Sequence, residues 1–154
     1  MRQPGLPWGQ PDGLTLLERD HRELEALLKD GIALGDTAID ERRALLARLT
    51  PLLTTHEAME ERVLYPALKA HPEAKDIVLE GYQEHHVADV VLKELQELPP
   101  SDERWGAKLK VLKESLEHHI EEEEGDMFKK ARAAFGKAEL DDIGRRMQAM
   151  KKGM

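Results

Sequence analysis

His56-Glu57-Ala58-Met59-Glu60-Glu61-Arg62-Val63-Leu64-Tyr65 returns later as His119-Ile120-Glu121-Glu122-Glu123-Glu124-Gly125-Asp126-Met127-Phe128. Both stretches read H-x-x-x-E-E-x-x-x-aromatic. On an α-helix a histidine and a glutamate four residues apart lie one above the other on a single face. Two such helices packed together would aim two imidazoles and two carboxylates at one point, which is the outline of a metal site.

The flanking sequence supplies the helices. Leu14, Leu17, Leu24 and Leu28 form an apolar stripe that predicts helix 1 from Asp12 or Gly13 to about Gly31. Helix 2 is expected from Ile39 to Lys69, kinked at Pro51 and bent again near Pro66. Helix 3 should span Pro72 to Leu98, stopped by Pro99-Pro100. Ser101 or Asp102 can cap helix 4, which runs to about Glu124, is interrupted at Gly125 and continues to Phe135. Leu140, Ile143, Met147 and Met150 mark a last amphipathic helix over 138–152. The fold class is therefore all-α: an up-down-up-down four-helix bundle with an additional C-terminal helix. Residues 1–13 read as an arm, 14–135 as the bundle, and 136–154 as the helix packed on it.

Composition narrows the function. The chain has 154 residues and only 4% aromatics, with Leu, Ala, Glu, Lys and Arg dominant, as one helical domain would have. A net charge of −8 disfavours nucleic acid and anionic membranes as partners. No stretch is apolar enough to span a bilayer, and no secretory signal is visible, so a cytoplasmic protein is expected. With no cysteine, any metal must be held by nitrogen and oxygen.

Heptad register selects among the seven histidines. His21, His56, His85 and His119 each fall in the apolar seam of one helix, and Glu60 and Glu123 join them one turn on. His86 and His118 fall on polar stripes, and His71 precedes Pro72 in a turn. Four imidazoles and two carboxylates buried unpaired would cost many kcal/mol, and a polyvalent cation compensates best. Six side chains exceed tetrahedral zinc, so two ions are expected. Imidazole and carboxylate without sulfur suit iron, with manganese second and zinc third. About two coordination positions would remain for an exogenous molecule or for Tyr82, Asp89 or Glu25, each one turn from a seam histidine. Glu57, Glu61 and Glu124 are expected on a solvated acidic face, with proton shuttling as the alternative.

These residues resemble the hemerythrin-like, or HHE cation-binding, family. Asp20-His21, His56-x-x-x-Glu60-Glu61 with Tyr65-Pro66, Glu84-His85, and His119-x-x-x-Glu123-Glu124 with Phe128 match its pattern in order and spacing. The resemblance covers about residues 14–135. It implies a non-haem di-iron centre, oxo- or hydroxo-bridged, with Glu60 and Glu123 as bridging carboxylates and the four seam histidines as terminal ligands. Members bind dioxygen, peroxide or nitric oxide. The oxygen carriers of the family have a histidine where this chain has Asp89, and space their last histidine and carboxylate by five.

Three functions share this ligand set: binding or sensing of O2, NO or peroxide, decomposition of peroxide, and iron donation in stress repair.

Overall fold

Asp12 starts the first helix by accepting a hydrogen bond from the Thr15 amide at 2.9 Å, which satisfies one of the free donors of a helix N-terminus. The structure, a computed structural model, describes residues 11–153. Most of the expected arm lies outside the described residues. Pro11 and Asp12, also expected in it, lie against the last helix instead.

Helix α1 is Gly13–Ile32 and α2 is Ile39–Met59, running unbroken through the exposed Pro51. A π-helical turn, Glu60–Leu64, joins α2 to α3 (Tyr65–Lys69) in one rod, with Pro66 directly after the π turn. A 3-10 turn at Pro72–Ala74 leads into α4 (Lys75–Glu97). Helix α5 (Trp105–Glu122) passes through a second π turn, Glu123–Met127, into α6 (Phe128–Ala134), and α7 is Lys137–Gly153. Among the described residues there is no strand, and no helix is long and apolar enough to cross a membrane. The four rods and the extra helix are the expected bundle.

Two expectations fail locally. Neither Ser101 nor Asp102 caps α5 directly, since the helix starts at Trp105; Asp102 instead accepts from the amide and guanidinium of Arg104 in the preceding turn. Gly125 does not break the fourth rod, which widens into the π turn and goes on.

The core divides into two apolar halves. One gathers Leu14, Leu17, Leu64, Leu68, Phe128, Phe135 and the buried face of α7, at Leu140, Ile143 and Met147. The other gathers Leu24, Leu28, Leu49, Leu53, Leu95, Trp105, Leu109 and Leu112. Each fully buried leucine contributes about 1.5–3 kcal/mol. Between the halves lies a layer of buried polar side chains.

Helix α7 crosses α1 closely because two glycines meet there. A Cβ on Gly144 would stand 2.8 Å from Pro11 O and 3.0 Å from Gly13 N, and one on Gly13 would stand 2.5 Å from Ile143 Cγ2. Backbone cannot step aside as a side-chain tip can. Gly144→Val should therefore destabilise the fold by about 1–3 kcal/mol, lowering Tm by several degrees in a thermal melt. A Tm equal to wild type would refute the crossing.

Candidate metal centre

Both π turns begin at the first glutamate of the repeated motif's Glu-Glu pair, Glu60 in one copy and Glu123 in the other. Such turns insert one residue into a helix and often mark functional sites. Their effect here is rotational. At about 100° per residue, an aromatic nine residues after a histidine would point about 180° away from it. One extra residue takes back about 100°, so Tyr65 and Phe128 turn toward the layer. Tyr65 stacks on His85 with ring centroids 5.4 Å apart, and Phe128 stacks on His21 at 6.1 Å.

His21, His56, His85, His119, Glu60 and Glu123 converge in the polar layer, none more than 4% exposed. His21 Nε2 lies 3.0 Å from Glu123 Oε1, and His119 Nε2 lies 3.1 Å from Glu123 Oε2. His85 Nε2 lies 2.8 Å and His56 Nε2 3.5 Å from Glu60 Oε1. The atoms form two adjoining groups, His21–His56–Glu60–Glu123 and Glu60–His85–His119–Glu123, each with its donor atoms within 4.8 Å of one another. Both carboxylates belong to both groups.

The outward nitrogens are as ordered as the inward ones. His21 Nδ1 meets Glu124 at 2.6 Å, His56 Nδ1 meets Asp20 at 3.0 Å, His85 Nδ1 meets Glu61 at 2.8 Å and His119 Nδ1 meets Glu84 at 2.6 Å. A ring that donates its Nδ1–H to a carboxylate is fixed in orientation, and its Nε2 lone pair is left for a metal. Asp20 is in turn held by Lys151 of α7 at 2.7 Å. Contacts from His56 and Lys151 keep its carboxyl below the usual range, although burial pushes the other way.

Inside the layer, hydrogen bonding is incomplete. His21 Nε2, His56 Nε2, His119 Nε2, Glu60 Oε2 and Glu123 Oε1 have no hydrogen-bond partner. Buried polar atoms are ordinarily paired, and each one left alone costs about 1–3 kcal/mol. Five of them facing one another around two carboxylates fit a bound cation. Burial favours neutral His21, but Glu123 and Glu124 outweigh it and raise the ring to about 9. His85 and His119 are raised for the same reason, with Glu60 and Glu123 overcoming burial.

Three residues considered as extra donors stand elsewhere. Glu25 pairs with Arg22 at 2.8 Å, Asp89 is exposed beside Glu57, and Tyr82 sits edge-on to Tyr65. The tyrosine in the layer is Tyr65, fully buried, whose hydroxyl donates to Glu123 Oε2 at 2.8 Å. Regular helical spacing points it away; its nine-residue offset, repeated in both copies, was the available signal. Nor do the three flanking acids form a solvated face. Glu61 and Glu124 hold histidines, and Glu57 is buried, its carboxyl pushed up to about 10 by burial and by Asp89. His86 is exposed and His118 reaches Glu84 at 3.4 Å on the surface, both outside the layer.

Comparison with known proteins agrees with this geometry. The model of the hemerythrin HHE cation-binding domain family matches residues 12–131. A crystal structure of a hemerythrin HHE cation-binding domain-containing protein from Mycobacterium kansasii superposes with a TM-score of 0.79 at 27% identity, covering 92% of this chain and 86% of that one. No curated protein gives a match.

Proposed function

The chain belongs to the hemerythrin HHE cation-binding domain family, and from that premise we propose that its layer holds two iron ions and binds a small molecule: O2, NO or peroxide. The observation that carries the reading is the pair of His2Glu2 groups that share both carboxylates. Each group supplies a terminal imidazole pair, and Glu60 and Glu123 stand where carboxylates can bridge. The all-nitrogen-and-oxygen donor set suits iron, with manganese second and zinc third. Bound there, iron would supply one-electron redox change and a position for an exogenous ligand.

The protein's own contribution is enclosure and orientation. Buried ligands admit only a molecule of a few atoms, and the four outer carboxylates fix every ring. That enclosure also works against ready release, which disfavours the iron-donor function. Decomposition of peroxide is the second reading, favoured by the Tyr65 hydroxyl inside the layer, a proton donor at 2.8 Å from Glu123.

Metal analysis of the isolated protein should find two irons per chain. Optical spectra taken before and after reduction, and with azide, peroxide and NO, should change on adding NO or O2 to the reduced protein. One ion or none, or a spectrum indifferent to all of these ligands, would sink the proposal.

A further inference from the structure

The chain has two tyrosines, and they touch. Tyr65 is buried in the ligand layer, while Tyr82 on α4 is half-buried at the surface. Their ring centroids are 5.1 Å apart at an interplanar angle of 77°. On its other side Tyr65 stacks on His85 at 5.4 Å and 17°. An unbroken aromatic path therefore runs from the His–Glu layer to the solvent. The corresponding place beside His21 is taken by Phe128, which has no phenol to oxidise.

The fold accommodates this path at a cost. Gly81 lies buried within α4, in a helix interior where glycine is disfavoured relative to alanine. A Cβ at that position would stand 2.7 Å from Tyr65 Oη and 3.0 Å from its Cζ, so only glycine leaves room for the phenol. Val78, one turn earlier on the same helix, packs in the ordinary way.

We propose that Tyr65 and Tyr82 form an electron relay between the buried layer and the protein surface. The inference rests on the reading of the layer as an iron centre, with hydrogen peroxide as the oxidant. Tyr65 gives up one electron inward, its Oη proton going to the peroxide being reduced. Tyr82 then refills Tyr65 with one electron, water returns a proton to Tyr65 Oη, and Tyr82 releases its own proton to water. Each peroxide reduced to two waters takes two electrons and two protons: the first passage ends with the radical at Tyr82, and the second draws on Tyr65 or, with a reductant present, on Tyr82 again. The surface radical at Tyr82 is left for an external reductant or, without one, for coupling to a second Tyr82 through a new carbon–carbon bond.

The test uses the full chain, its iron content measured, treated with hydrogen peroxide in the absence of reductant. Wild type should show a tyrosyl radical by electron paramagnetic resonance, together with dityrosine-linked dimers mapped to Tyr82 by mass spectrometry. Tyr65→Phe, which copies the residue already present at Phe128, should lower the linked dimer at least tenfold at equal iron content. Tyr82→Phe should keep a radical, now on Tyr65, and form no linked dimer. Tyr82 oxidised equally in Tyr65→Phe and wild type would overturn the relay, as would iron-loaded wild type giving neither radical nor dimer. A chain that takes up no iron would instead overturn the iron reading, and the relay with it.

Discussion

Glu123→Ala is expected to abolish tight metal binding at both of the proposed positions, whereas His56→Ala should abolish it at one. Glu123 is a member of both donor groups and lies within 3.1 Å of two imidazoles on opposite sides. His56 belongs to one group, and its loss leaves Glu60, His85, His119 and Glu123 in place. Loss of a residue that merely orients a ligand costs about 10–100-fold in affinity, so loss of a shared ligand should cost roughly a hundredfold or more at each position. Glu123→Ala also removes the acceptor of the Tyr65 hydroxyl and the counter-charge of two buried rings, and breaking such a pair costs about 3–5 kcal/mol. Glu123→Gln keeps the shape and should separate the two effects, with metal lost and stability largely kept. The readouts are metal content after dialysis and Tm of the metal-free proteins. Two ions retained in Glu123→Ala would exclude it as a shared ligand.

Metal affinity should climb steeply between pH 6.5 and about 9, while the metal-free protein loses stability over the same window. His21 is raised from 6.5 to about 9, so at neutral pH its ring carries a proton that an incoming cation must expel. Affinity then rises about tenfold per pH unit for each proton displaced, and more steeply if His85 and His119, also raised, give up theirs. For the metal-free fold the sign is opposite. A histidine whose folded pKa is raised contributes stability fully present below 6.5 and lost as pH rises through about 9; for His21 this is on the order of 3 kcal/mol at most. Glu57, raised to about 10, acts in the same direction, because the folded protein holds its proton where the unfolded chain does not. Glu57→Gln removes that contribution and isolates the histidines. Thermal melts from pH 6 to 9 with and without ferrous iron, and calorimetric titrations in two buffers of different ionisation enthalpy, would measure both. Metal uptake without proton release would contradict the protonated layer.

Much of this was legible from the chain because a helical period of 3.6 is a strong constraint on which side chains share a face. The six seam residues meet because each lies a whole number of turns from leucines that must be buried, as His21 does between Leu17 and Leu24. What could not be read were departures from that period and contacts between helices. The π turns are one residue of slack, with no breaker to announce them; Gly125 lies in open space within its turn. They rotate Tyr65 into the layer, and regular spacing offered Tyr82 in its place. The acids that hold the Nδ1 atoms reach across from neighbouring helices, so nothing in the local sequence separates Glu61 and Glu124 from a solvated face.

The exchange of carboxylates gives the molecule a hidden symmetry. Asp20, His21, His56, Glu60, Glu61 and Tyr65 in the first hairpin find their equivalents, in the same order, in Glu84, His85, His119, Glu123, Glu124 and Phe128 of the second. Each hairpin supplies both histidines of one donor group. Yet Glu61 steadies His85 and Glu124 steadies His21, across the divide. Half the chain is therefore not half a site; it lacks one of the two shared carboxylates and one ring's support, and only pairing with its near-copy completes it. In that tandem near-repeat the phenol of Tyr65, where the second copy has Phe128, and the lysine that α7 lends to Asp20 make the two donor groups differ.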